Sequence, residues 1–157
     1  MSDQIMEFAE GDELEMADPS SLIRSPSYTA RTGDITVTVR PIWIEELSDV
    51  KDQIFTWVYH IIIENGGEEA MQLTGRTWSI FDGAGNEVSA YSDGIGGELP
   101  VIAPHAHFEY TSGAELRTPS GFMSGAYHAR LVEEDHYFDV TIPMFSLDSP
   151  HQNRLIQ

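Results

Sequence analysis

The chain has 157 residues, enough for one domain with a sizeable core but not for two large lobes, and its 41% hydrophobic and 10% aromatic content exceeds that of a disordered chain. Eight basic residues against 26 acidic ones leave a formal charge of -18, which repels phosphate backbones and excludes direct nucleic-acid binding; no apolar run approaches the roughly 20 residues of a spanning helix, which excludes helical membrane insertion. The chain has no cysteine, so disulfides, thiolate metal sites and thiol nucleophiles are excluded, and the first residues lack the layout of a signal peptide, so a cytoplasmic location is expected.

Residues 1–27 carry seven acidic residues before the first basic one, Arg24, and read as an acidic flexible arm. Within it Ile5, Met6, Phe8, Leu14 and Met16 can line one side of a transient helix that Gly11 interrupts. From Ile35 the apolar period becomes two: Ile35, Val37 and Val39 alternate with Thr36, Thr38 and Arg40, the pattern of a half-buried strand, and Pro41 restricts it to an edge or a bend. A charged connection over residues 45–54 leads to an aromatic strand, Phe55 to Ile63, which ends at Asn65-Gly66-Gly67. A third strand from Gln72 to Phe81 turns back through Asp82-Gly83-Ala84-Gly85-Asn86 into Glu87 to Tyr91. After the glycine-rich stretch Ser92 to Gly97 come His107 to Ser112, Phe122 to Val132 and His136 to Ile142; residues 148–157 read as a short polar tail.

About seven short antiparallel strands, with no convincing helix among them, predict an all-β fold: an immunoglobulin or fibronectin type III-like β-sandwich over residues 28–147. Trp78 stands on the third strand, where such sandwiches bury a tryptophan. Tyr127 stands two residues before the small Ala129, at the spacing of a tyrosine corner. An exposed edge at Ile35 to Arg40 would permit a homodimer, which Pro41 opposes.

Several stretches resemble the ApaG family. They are Tyr28-Thr29-Ala30, Ile35 to Pro41, Tyr59 to Gly66, Arg76-Thr77-Trp78, then Gly94-Ile95-Gly96-Gly97-Glu98-Leu99-Pro100, Phe108 to Gly113, Thr118 to Gly125, and Ile142-Pro143-Met144-Phe145-Ser146-Leu147. The resemblance implies a fibronectin-like sandwich, used as an interaction module in eukaryotic relatives and linked in bacteria to cobalt resistance and magnesium efflux. It implies no catalytic activity and no cofactor. Ser92, Gly96, Leu99 and Ala114 depart from the family pattern, so a fuller Gly-x-Gly-x-x-Gly spacing becomes Ser92-x-Gly94-x-x-Gly97.

Three kinds of site are open at this point. Ser92, Gly94, Gly96 and Gly97 can present amides to a pyrophosphate or nucleotide with Arg76 assisting, or simply form a sharp crossover between sheets. A dinucleotide fingerprint requires a helix after the loop, and here Pro100 and Pro104 follow. His105 and His107 would share a face of an extended segment and suit a borderline divalent metal, with His128 and His136 on strands expected to be close; oxygens from Glu98, Glu109 or Glu133-Glu134-Asp135 would suit magnesium, although that last run also reads as a solvated hairpin turn. Ile95, Leu99 and Phe122, together with Trp43, are candidate anchors for an unknown protein partner. Ser112, Ser120 and Ser124 show no nucleophile elbow, and Thr111-Ser112-Gly113 and Thr118-Pro119-Ser120-Gly121 read as turn chemistry, so no enzyme is expected. The reading is therefore a non-enzymatic binding module tied to divalent-cation homeostasis, with a pyrophosphate or nucleotide binder and a direct metal sensor as alternatives.

Overall fold

The computed structural model describes residues 4–7 and 25–152. Ten strands form it: β1 Gln4–Glu7, β2 Tyr28–Thr32, β3 Ile35–Trp43, β4 Phe55–Asn65, β5 Met71–Asp82, β6 Glu87–Asp93, β7 Val101–Ile102, β8 His107–Leu116, β9 Gly121–Leu131 and β10 Tyr137–Leu147. They make two antiparallel sheets, one ordered β1-β8-β4-β3-β2 and the other β10-β9-β5-β6, with β7 on β5. The expected sandwich is present, and all seven expected strands are in it; six run longer than their periodicity announces, and β9 keeps its expected length one residue earlier.

The alternation seen in the sequence builds the core. Val37 and Val39, Tyr59, Ile61 and Ile63, Trp78 and Ile80, Met123 and Tyr127, and Val140, Ile142 and Phe145 point between the sheets and are buried. Trp78 meets Phe145 edge-on at 6.0 Å and Tyr59 at 5.6 Å, so the expected tryptophan anchor joins the two sheets. The Tyr127 hydroxyl instead shares a 2.6 Å hydrogen bond with Tyr110 across the core, so it makes no tyrosine corner.

Two local features change phase. Between Leu73 and Gly75 the β5–β9 register shifts by one residue, a β-bulge. Met71 and Leu73 point inward before it; after it the inward set is Arg76, Trp78 and Ile80. The bulge therefore carries a guanidinium into the core. The second feature is the edge expected at Ile35 to Arg40: β3 is paired on both sides from Ile35 to Val39, by β2 and β4, so that stretch offers no edge for a dimer. The missed strand β2, with Thr29 and Arg31 facing out and only Ala30 as an aliphatic, covers it. Pro41 stands just past the end of β2, where no ladder partner needs its missing N–H.

At the two ends of the chain, Gln4–Glu7 pair with Ser112 to Glu115 of β8 as a strand, not a helix. The remainder of the acidic arm, residues 1–3 and 8–24, and of the polar tail, residues 153–157, lie outside the described residues. The start of that tail is held: the Ser149 hydroxyl donates to the Pro119 carbonyl at 2.6 Å, and the Trp57 indole donates to the Asp148 carbonyl at 2.7 Å.

Candidate functional site

The glycine-rich stretch does not cross between sheets. β6 and β7 both pair with the same side of β5, at Gly75–Phe81 and at Met71–Gln72, and residues 94–100 are an excursion between them. Its base is fixed by Gly94 N donating to the Thr74 carbonyl and Leu73 N donating to the Pro100 carbonyl, both at 2.9 Å. Beyond the base, Ile95 and Glu98 exchange both backbone hydrogen bonds around Gly96-Gly97, whose φ values of +59° and +82° suit the tight primed turn of a two-residue hairpin. Gly94 has φ +58°, and a Cβ there would come within 2.0 Å of the Glu98 carbonyl oxygen. The glycines thus serve a turn and a close approach. Three of the loop's amides, those of Gly94, Ile95 and Glu98, already donate to carbonyls, which leaves an anion those of Gly96, Gly97 and Leu99.

Arg76, the expected helper, is buried. Its Nε donates to Ser92 Oγ at 2.8 Å, and its guanidinium lies 5.7 Å from the centre of the Tyr110 ring. Around it the phenols of Tyr59, Tyr110 and Tyr127 are pushed above their ordinary range, first of all by burial. Ile95, expected as an exposed anchor, is buried in the core because it faces β5 from the small hairpin.

The metal candidates are separated. His105 lies in the turn before β8 with φ +64°, its amide donating to the Asn65 carbonyl, so the extended geometry that would align it with His107 is absent. His105 Nε2 meets Glu68 at 3.1 Å, whereas His107 Nε2 meets Glu109 at 3.2 Å. Glu109 also takes a 2.7 Å contact from His60 Nε2; that hydrogen bond, the largest influence, and the one from His107 hold its carboxyl below the usual range against the opposing effect of partial burial. His128 and His136 do not meet: His128 is opposite Asp139, and His136 precedes β10 and stacks on Phe138. Glu133-Glu134-Asp135 forms the exposed β9–β10 turn. Among the described residues no three His, Asp or Glu side chains converge as a metal site.

One arrangement was not foreseen. Asp139 Oδ1, His128 and Thr77 line up across three strands, with 2.9 Å from the carboxylate to Nδ1 and 2.7 Å from Nε2 to the Thr77 hydroxyl. The order is that of a carboxylate, a base and a hydroxyl. Thr77, however, is on an open sheet between β6 and β9, where neighbouring backbone amides are committed to ladders and cannot gather round an oxyanion. The line ties strands together.

What remains is surface. Leu99 and Phe122 are exposed as expected, and they are not alone. Tyr91, Val101, Tyr137 and Met144 join them, the six ranging from 36% to 66% exposed, while the only other large hydrophobics this exposed among the described residues are Leu47 and Val50. Register places Tyr91, Val101, Phe122 and Tyr137 on the outer face of the second sheet, and Met144 there at the bulge in β10; Leu99 is at its margin. Phe122 stacks on Phe81 at 4.6 Å. Tyr91 lies over Gly75, with its ring 5.8 Å from that of His128. Between these groups run small residues, Ser79, Ser124 and Ala126, so the face is shallow and flanked by rings. The sequence points to Leu99 and Phe122 singly, but their gathering with Tyr91, Val101, Tyr137 and Met144 into one band depends on strand pairing and on the bulge in β5.

Comparison with known proteins gives a consistent result. The family model for the ApaG domain matches residues 45–131. The chain is 46% identical over 129 residues to Protein ApaG of Bradyrhizobium sp. (strain ORS 278), an alignment covering 82% of this chain and 98% of the relative, and 45% identical over 130 residues to Protein ApaG of Methylocella silvestris, with the same coverage. A crystal structure of an ApaA protein from Bordetella pertussis superposes with a TM-score of 0.72 at 37% identity, covering 75% of this chain and 95% of that one.

Proposed function

The chain belongs to the ApaG domain family, and from that premise we propose that it is a non-enzymatic binding module that engages a protein partner through the outer face of its second sheet. The observation that carries this reading is the concentration there of exposed Tyr91, Val101, Phe122, Tyr137 and Met144. Single exposed apolar side chains are ordinary, but a set gathered on one face of a rigid sheet supplies anchors for recognition. A charge of -18 favours a basic partner, chiefly by speeding encounter. The connection to cobalt and magnesium that the resemblance implies runs, on this reading, through the partner: His105 and His107 are each engaged by a different carboxylate.

The experiment places a photo-crosslinking residue at Tyr137 or Val101 on this face and, for comparison, at Thr38 on the opposite face. A discrete adduct from the first two positions alone, weakened when Tyr91→Ala is added, is the expected result. Equal adducts from both faces, or none, would overturn the reading. Amide spectra during cobalt titration test the indirect route. Diffuse, salt-sensitive broadening over the acidic surface is expected, and saturable broadening confined to His105 and His107 would replace the partner with a metal.

A further inference from the structure

The strands that close one side of the sandwich are unequal. β2 ends at Tyr28, opposite Val39, but β3 continues through Arg40 to Trp43. Along those residues β3 has no ladder partner on its β2 side among the described residues. A groove of about 340 Å³ opens there, walled by Pro26, Pro41, Trp43, Trp57, Asp148 and Pro150.

Three observations define its occupant. The walls are stiff and preorganised: three are prolines, Trp43 meets Trp57 edge-on at 5.3 Å, and the Trp57 indole holds the Asp148 carbonyl at 2.7 Å. Little side-chain entropy is then lost when an apolar group enters. The backbone beside the groove is unsuited to adding a strand, because Pro41 has no N–H to donate. A polyproline II segment, which makes no ladder of its own, does not require one, and tryptophan and proline walls are the kind of surface against which such segments dock. Finally, the charge is one-sided. Asp148 is in the wall, Glu45 Oε1 accepts from the Trp43 indole at 2.8 Å, and no lysine or arginine lines the groove.

We propose that this groove binds a proline-rich segment of a partner protein that carries an arginine or lysine beside its prolines. The prolines occupy the tryptophan-walled floor and the cation meets Asp148 and Glu45. The site is separate from the outer face of the second sheet, so either can fail alone.

The test uses the full chain, its tryptophan emission and calorimetry, with the acetylated, amidated probe peptide Ala-Arg-Pro-Leu-Pro-Pro-Leu-Pro-Ala. Saturable binding is expected, weakened about tenfold both by glutamate in place of the peptide's arginine and by the double variant Glu45→Gln with Asp148→Asn, and weakened further by Trp43→Ala. The double variant alters side chains at the surface and leaves the Asp148 carbonyl on Trp57, so it reads the groove even if Trp43→Ala disturbs packing. No saturable binding, or equal affinity for both peptides, would overturn the proposal. A peptide-independent emission change on concentrating the protein would assign the groove to a second copy, and tighter peptide binding by the full chain with Leu22→Ala and Ile23→Ala would assign it to the chain's own N-terminal segment; either result also overturns it.

Discussion

The outer faces of the two sheets solve the same problem differently. On the first sheet the outward residues of β3, β4 and β8 include Thr38, Arg40, His60, His107 and Glu109, and their polar groups are engaged by neighbours: Glu109 alone receives both His60 and His107, the Thr38 hydroxyl meets that of Thr29, and Arg40 donates to Ser27 Oγ. On the second, the outward positions of β5, β6, β9 and β10 combine rings with serine, alanine and glycine. Both sheets cover the same core, so the core does not demand the difference. A face whose polar groups are mutually satisfied has little left to offer a partner, while one that keeps aromatic area in water gains by covering it. On the proposed reading, stability and recognition fall on opposite surfaces of one sheet, its inner and its outer side.

The largest expected effect tests the inner side. Trp78→Ala removes the ring that meets Tyr59 and Phe145, and should cost about 3–5 kcal/mol in denaturant unfolding. A loss below about 1 kcal/mol would mean that the two sheets do not depend on this contact. On the outer side, Tyr91→Ala should weaken partner binding by about 2 kcal/mol, near thirtyfold, while unfolding shifts by no more than about 0.5 kcal/mol. A substitution that altered stability and binding together would break the division of labour between the sides.

At the edge of that sheet, Gly94→Ala should cost about 3 kcal/mol, since its Cβ would strike the Glu98 carbonyl at a positive φ, whereas Gly97→Ala, with open space around it, should cost only about 1 kcal/mol of backbone strain. Equal losses in thermal unfolding would mean that the small hairpin is not formed as described. The smallest effect concerns the first sheet. Because the Glu109 carboxyl is held below its ordinary range, its contribution is complete above the unfolded value of about 4.5 and fades as pH falls through the lower folded value. Glu109→Gln should therefore flatten the acid limb of stability against pH; an unchanged acid limb would remove His60 and His107 as its partners.

Much of the architecture was legible because period-two patterns survive burial: β3, β4 and β5 could be read directly from their valines, isoleucines and tryptophans. The site was less so. The parity of β5 switches between Leu73 and Trp78, a printed sign of the bulge, yet only the register shows that Arg76 goes inside and Thr77 outside. His105 defeated the alternation rule by its left-handed backbone, and β2 by being threonine and arginine on an edge. Phe122 reads as exposed from the sequence, but its company of Tyr91, Val101, Tyr137 and Met144 comes from three other strands, and only pairing brings them together.

The small hairpin between β6 and β7 has one more consequence. Its base is pinned on both sides of a single point on β5, by Gly94 to Thr74 and by Pro100 to Leu73, and everything beyond those two bonds owes nothing to the ladders. Residues inserted between Gly96 and Gly97 would lengthen the excursion without displacing the strands that flank it. That makes the turn a natural graft point, where a foreign epitope or reporter can be carried on the scaffold with its interior left alone.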